Sequence, residues 1–254
     1  MTLRETFERV YSRLLGVATA GRGVAWHVDA GTTLRIDPRC RWIRNPSYEA
    51  AVVQYLRSRV RPGDCCVDVG AHVGYYALQM ALWTAPAGRV IAFEPNPLAR
   101  DVLETNVRLN GFSDRIVVEP HAVADAPGTA PLFHGAETTG LSRIRTPNPE
   151  SAPGHAVEVD VITLDQYCSA RGVIPRWVLI DVEGLEAEVL SGATGLLADR
   201  RTSFVVEMHP ELWASGREAT ASRFEGLLRA SGRTAVPITG QGSIVDGYGT
   251  IAIE

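Results

Sequence analysis

Apolar residues along this chain follow two spacings that alternate. Compact apolar runs at Cys65–Val69, Arg89–Phe93, Ile116–Glu119, Trp177–Ile180 and residues 204–207 are short and nearly uninterrupted, as in strands covered on both faces. Between them, apolar positions recur at helical spacing over Tyr75–Trp83 and residues 98–109, 164–170, 185–190 and 217–230. Pro62, Gly63 and Asp64 stop an earlier helix over about residues 47–60, and Asn110 with Gly111 stops the one before the third strand. Strand and helix in alternation predict a parallel sheet with helices on both faces and right-handed crossovers.

The flanks depart from this rhythm. Residues 3–15 carry an amphipathic helical stripe, and residues 24–28 and 32–36 read as a hairpin around Asp29, Ala30 and Gly31. Residues 125–153 are rich in Gly, Pro, Thr and Ser, and the runs 129–133 and 156–162 are suited to pair as a hairpin insertion over the sheet. Residues 234–238 and 248–253 predict a closing antiparallel pair. The expected organisation is a helix-and-hairpin attachment over residues 1–45 and a main domain over 46–254.

Composition narrows the class. A chain of 254 residues, 45% apolar and 21% charged, can bury one large core without disulfide or metal staples. The net charge of −4 lacks the basic excess that phosphate-backbone binding needs, so nucleic acid is not an expected partner. Cys40, Cys65, Cys66 and Cys168 have no metal-ligand spacing and read as reduced, buried thiols. Charges at Arg4, Glu5, Glu8, Arg9 and Arg13 interrupt the first twenty residues. Asp68, Gly70, His72 and Gly74 interrupt the most apolar window, 65–85. Neither a signal peptide nor a membrane span is expected, and the cytoplasm is the expected compartment. The stripe of the first helix suits a homodimer contact or a lid.

Ligands of open parallel sheets bind at the carboxyl ends of the strands, so the residues after each apolar run carry the information. The first run leads into Asp68, Gly70, His72, Gly74 and Tyr75, and the second into Glu94, Pro95 and Asn96. The fourth is followed by Asp181, Glu183 and Gly184, and the fifth leads into Glu207, His209 and Pro210. Gly70 and Gly74 permit a tight turn before a helix start, whose free N–H groups suit a carboxylate. Glu94 stands 24 residues after Gly70, near the spacing at which an acid takes ribose hydroxyls. A dinucleotide is disfavoured because His72 occupies the third fingerprint position and Asp68 would repel pyrophosphate. An adenosine carrying an amino acid fits better.

Taken together, the runs DVGAHVGYY at residues 68–76, IAFEPN at 91–96 and IDVEGLE at 180–186 resemble the FkbM family of methyltransferases. Residues 106–111, 121–125, 161–165 and 207–210 resemble that family in the same order, so the likeness covers about residues 46–210. The chain departs from it at His72, where Ala or Asn is frequent, and at Leu179, where Lys is frequent. The resemblance implies a Rossmann-like class I α/β fold, with a seven-stranded, mostly parallel sheet and an antiparallel C-terminal strand. It also implies S-adenosylmethionine as methyl donor and a hydroxyl of a small molecule, natural product or sugar as acceptor. Ala122 and Val123 would then lie near adenine through their backbone, and residues 138–144 would cover the cofactor.

Methyl transfer to an alcohol needs positioning, worth about 7 to 11 kcal/mol at best, and a base, worth on the order of 100- to 10,000-fold. His209 titrates nearest neutrality and is the expected base. Asp181 and Glu183 are expected to orient substrate or cofactor, and Glu207 is a further catalytic candidate at the same strand ends. Glu186 reads as an acid favoured by a helix N-terminus. Trp42, Tyr48 and Glu49 are candidates for the substrate mouth. Nothing in the spacing of these acids and His209 requires a metal, although such a cluster can hold magnesium. Three alternatives stay open at this level: N-methylation, an adenosyl-binding module without catalysis, and a nicotinamide-dependent oxidoreductase.

Overall fold

The computed structural model describes residues 19–29, 31–134, 142–143, 155–240 and 247–254. Strands β1 (Val24–His27) and β2 (Thr33–Ile36) form the antiparallel hairpin. A 3₁₀ stretch at Pro38–Arg44, unmarked by apolar periodicity, is opened by the Asp37 carboxylate accepting the Arg39 N–H at 2.8 Å. Helix α1 (Ala50–Arg57) follows, then β3 (Cys65–Val69), α2 (Tyr75–Trp83), β4 (Arg89–Phe93), α3 (Pro97–Leu109) and β5 (Ile116–Glu119). The insertion contains β6 (Ala122–Val123), β7 (Gly128–His134), β8 (Ser142–Arg143) and β9 (His155–Ile162). The chain continues through α4 (Leu164–Arg171), β10 (Trp177–Ile180), α5 (Glu186–Ser191), α6 (Thr194–Ala198) and β11 (Ser203–Met208). Helix α7 (Arg217–Ser231) and strands β12 (Ala235–Pro237) and β13 (Gly249–Ile253) complete it.

Seven strands form the main sheet in the order β12-β13-β11-β10-β3-β4-β5, with β13 antiparallel to both neighbours. Pleating sends alternate side chains to opposite faces. Val67, Val178 and Phe204 lie side by side in register, and each is fully buried against the layer containing α4, α5 and α7. Asp68, Leu179 and Val205 form the next row, facing α2 and α3. Adjacent Cys66 and Cys65 likewise fall to opposite cores, and all four cysteines are free.

The insertion is a second, four-stranded sheet in the order β6-β9-β7-β8, built around the expected β7–β9 pair. Its β6 runs parallel to the end of β9, which sequence periodicity did not show because two residues carry no period.

The hairpin is bound tightly to the main domain. Trp26, Leu34, Ile36, Cys40 and Ile43 belong to one apolar cluster with Cys66, Leu179 and Val205. Asn106, fully buried on α3, accepts the Asp37 N–H at 2.7 Å and donates to the Val73 carbonyl at 2.8 Å. One amide therefore joins the hairpin exit to the glycine turn. The stripe at residues 3–15 and most of 138–144 lie outside the described residues. Among the described residues, no helix is long and apolar enough to cross a membrane.

Candidate active site

At the end of β3 the chain turns through Gly70 (φ 85°), His72 (φ 51°) and Gly74 (φ 91°) into α2. The two glycines make room for the protein itself. A Cβ on Gly70 would lie 1.8 Å from the Asp181 carbonyl oxygen, and one on Gly74 would lie 2.6 Å from Leu103. The Gly70 turn thus presses against the end of β10, and the two loops form one surface.

Glu94, at the end of β4, lies over this turn. Its carboxylate accepts the His72 N–H at 2.7 Å and the Asn96 N–H at 2.8 Å. Burial pushes its pKa up to about 7, against those two bonds and the Arg100 charge. Asn96 is fully buried and caps α3 by accepting the Leu98 N–H, and Pro95 offers its carbonyl to Arg100. Asp68 is 1% exposed, and neither carboxylate oxygen has a hydrogen-bond partner among the described residues. Burial, with a smaller push from Glu94, raises Asp68 to about 7. The Ala77 N–H tempers that rise without reaching hydrogen-bond geometry. Ala122 and Val123 form β6, buried beyond the end of β5.

Tyr75 stacks on Trp26 at 5.3 Å and donates its hydroxyl to the Tyr48 carbonyl at 2.6 Å, so its ring belongs to the packing between α2 and the hairpin. The His72 ring lies 5.9 Å from that of Trp42.

Beside this turn, the ends of β10 and β11 bring acids around one imidazole. His209 is 6% exposed, with Nδ1 at 2.9 Å from Glu186 Oε1. On its other side, Nε2 stands 4.0 Å from Asp181 and 3.9 Å from Glu207. Burial opposes the charged ring, but the bond and charge of Glu186, then Glu183 and Glu207, prevail and raise its pKa. Although 31% of the Asp181 side chain is exposed, burial and the charges of Glu207 and Glu183 push it well above the ordinary carboxylate range. Glu49 is also raised, by burial and then by Glu207, against hydroxyl bonds from Tyr76 and Tyr248. The Tyr248 hydroxyl also meets Glu207, and its ring stands edge-on to His209.

Asp181, Glu207 and His209 offer ligand atoms all within 4.8 Å of one another, a set able to hold a divalent cation. Glu49, His72 and Glu183 are three of the four described non-glycine residues with positive φ. Such backbone strain collects at functional sites.

The family model of the methyltransferase FkbM domain matches residues 68–229, from Asp68 on β3 to the last turn of α7. The chain belongs to the FkbM methyltransferase family. It is 33% identical over 177 residues to the hexuronic acid methyltransferase AglP of Haloferax volcanii, an alignment spanning 66% of this chain and 65% of that protein. It is 29% identical over 214 residues to the 31-O-demethyl-FK506 methyltransferase FkbM of Streptomyces tacrolimicus, spanning 72% of this chain and 78% of the relative. The chain thus spans just under two-thirds of the length of AglP. In fold it is similar to the methyltransferase FkbM of Methylobacillus flagellatus (TM-score 0.51, 15% identity, 83% of this chain and 52% of that one). It is also similar to an O-methyltransferase of Bacillus cereus in complex with SAH (TM-score 0.50, 12% identity, 97% and 89%). The sheet order with its reversed β13 is the class I methyltransferase architecture.

Within this FkbM domain, Glu186 differs from its sequence reading. Glu186 stands at the first position of α5, but it is 0% exposed and accepts bonds from Gly184 N–H, His209 Nδ1 and Trp213 Nε1. Its neighbours Leu185, Ala187, Val189 and Leu190 are all buried. An acid inside such a run has to be paired, which is the signal that could have marked it. Tyr248 carried no signal, because its role depends on where β13 begins beside β11.

Proposed function

We propose that this protein is an S-adenosylmethionine-dependent O-methyltransferase acting on a neutral hydroxyl of a small molecule or sugar. The observation that carries the reading is the Glu186–His209 pair, a buried carboxylate fixing an imidazole whose other nitrogen faces Asp181 and Glu207 beside the glycine turn. When bound, S-adenosylmethionine supplies an electrophilic methyl group.

The residues present fit that cofactor. Asp68 and Glu94 are buried acids on adjacent strand ends, and among the described residues neither forms an ion pair. Asp68 has two oxygens without hydrogen-bond partners, which suits an ammonium, and Glu94 suits ribose hydroxyls. Gly70, His72 and Gly74 shape the turn, Pro95 and Asn96 hold Glu94 over it, and Ala122 and Val123 would border adenine. Tyr75 would act from behind, holding the turn against the hairpin.

His209 is the proposed base. The Glu186 carboxylate holds a proton on Nδ1, leaving Nε2 to accept the acceptor hydroxyl's proton, and it stabilises the imidazolium that results. Asp181, Glu183 and Glu207 would orient the acceptor, with Glu49, Tyr76 and Tyr248 at its edge. Around His209 the acids already push one another's pKa values up, so an acceptor that brings a further carboxylate is disfavoured.

Calorimetric titration with S-adenosylhomocysteine, S-adenosylmethionine and NAD tests the donor. Micromolar binding of the adenosyl ligands alone supports the reading, and binding of NAD alone overturns it. A panel pairing neutral sugars with their uronates then tests the acceptor: methylation of the uronates and not of the neutral sugars would refute the charge argument.

A further inference from the structure

The opposite pole of the main sheet carries a different chemistry. A groove of about 500 Å³ lies where β3, β10 and β11 begin, and Arg59, Arg61, Arg176, Arg200 and Arg233 line it. Among the described residues none of the five forms an ion pair.

Their guanidinium groups are oriented by neutral partners instead. Arg176 donates to the Arg201 carbonyl at 2.7 Å, Arg200 to the Gly232 carbonyl at 2.8 Å, and Arg233 to the Leu197 and Asp199 carbonyls at 2.9 and 2.7 Å. Arg59 lies 3.8 Å over the Tyr55 ring, and Arg61 donates to the Val60 carbonyl. Carbonyls and ring faces position a cation without cancelling its charge.

The two acids of the groove have other bonds: Asp64 accepts the Arg61 backbone N–H, and Glu254 accepts the Tyr55 hydroxyl. Burial, then the charge of Arg200, pulls the pKa of Arg233 down, as expected of cations crowded together. Trp177, which lines the same groove, is 5% exposed and has an indole N–H without a partner among the described residues. Several forked donors lining a volume typical of small-ligand sites suit an anion with several equivalent oxygens.

We propose that this groove binds a phosphate-bearing ligand, either a free phosphorylated molecule or a phospholipid headgroup, at a site separate from the methyl-transfer centre. Phosphate is favoured over carboxylate because a terminal phosphate, free or on a lipid headgroup, has three oxygens that accept from several guanidinium forks at once. Binding here would tether the protein or sense a metabolite while the strand carboxyl ends stay open.

The test uses the full chain and inorganic pyrophosphate in calorimetric titrations, beside an Arg59→Ala/Arg200→Ala double variant. Both arginines are exposed, so folding should survive, and an unchanged melting temperature together with unchanged S-adenosylhomocysteine binding checks that it does. Pyrophosphate should bind the wild type and weaken about tenfold or more in the variant, the loss expected for removing charged hydrogen bonds. Raising salt from about 50 to about 300 mM should weaken it further. An Arg59→Lys/Arg200→Lys variant, which keeps charge and loses the forks, should fall between the two.

Sedimentation with phosphatidic acid vesicles against phosphatidylcholine vesicles separates the sources. Binding to the anionic vesicles without pyrophosphate binding assigns a headgroup, and the reverse assigns a soluble ligand. If the wild type binds neither, or the alanine variant binds either as tightly as wild type, the proposal is overturned.

Discussion

Replacing Glu186 with Gln tests the proposed base most directly. The carboxylate accepts three donors on two oxygens: Gly184 N–H and His209 Nδ1 meet Oε1, and Trp213 Nε1 meets Oε2. An amide has only one accepting oxygen, so one orientation turns its NH2 toward Trp213 and the other toward Gly184 and His209. Either way at least one buried N–H faces another donor, a loss of about 1 to 3 kcal/mol. At roughly 2 to 4 °C per kcal/mol for a domain of this size, the melting temperature should fall by about 2 to 12 °C.

The variant also removes the largest influence raising the His209 pKa, leaving only the smaller charges of Glu183 and Glu207 against burial, which lowers it. His209 should therefore titrate at lower pH in Glu186→Gln than in the wild type. Nitrogen-15 NMR of the ring reads this without knowledge of the acceptor. Once an acceptor is found, the acidic limb of the rate profile should move down in pH while kcat falls by about 100- to 10,000-fold. An unchanged His209 titration midpoint in a folded Glu186→Gln protein would refute the argument that Glu186 governs this ring.

Other outcomes follow from the same geometry. Asp68 and Glu94 have pKa values raised to about 7, so the stability they lend the free protein is present below their ordinary values and lost as pH rises through about 7. Thermal melts should show lower stability at about pH 8 than at about pH 5, and S-adenosylmethionine should bind more tightly over the same rise, because its ammonium pairs with the ionised acid. Flat affinity across that range would count against Asp68 as the ammonium partner. Gly70→Ala should cost several kcal/mol or prevent folding, since its Cβ would lie 1.8 Å from the Asp181 carbonyl oxygen, and denaturant titration measures it. Asn106→Leu should lose about 2 to 4 kcal/mol for two buried bonds, read in the same way. Chelation with EDTA should leave methyl transfer intact, because Nε2 of His209 has to remain free as a base; loss of activity restored by magnesium would recast Asp181, Glu207 and His209 as ligands.

The main sheet was legible because each core strand is a short apolar run and each helix has a period. Strand β6 and the 3₁₀ stretch at Pro38–Arg44 have neither property and are held by partners distant in sequence. The acids after each strand were legible from topology alone, and they do gather at one edge. Glu186 was not, because a glutamate at a helix start has a sufficient local explanation, and only the fold brings Trp213 and His209 onto it. Tyr75 was legible as a residue of the turn, but its ring direction depends on Trp26, 49 positions earlier.

The Asn106 amide has a consequence for how the chain is made. The N–H it accepts, from Asp37, leaves the ribosome 69 residues ahead of it. At typical synthesis rates of about 5 to 20 residues per second, the hairpin waits roughly 3 to 14 seconds for its anchor. During that interval Leu34 and Ile36 of β2 have no α3 to pack on, so this face of the nascent hairpin is an exposed apolar surface that a chaperone would shelter.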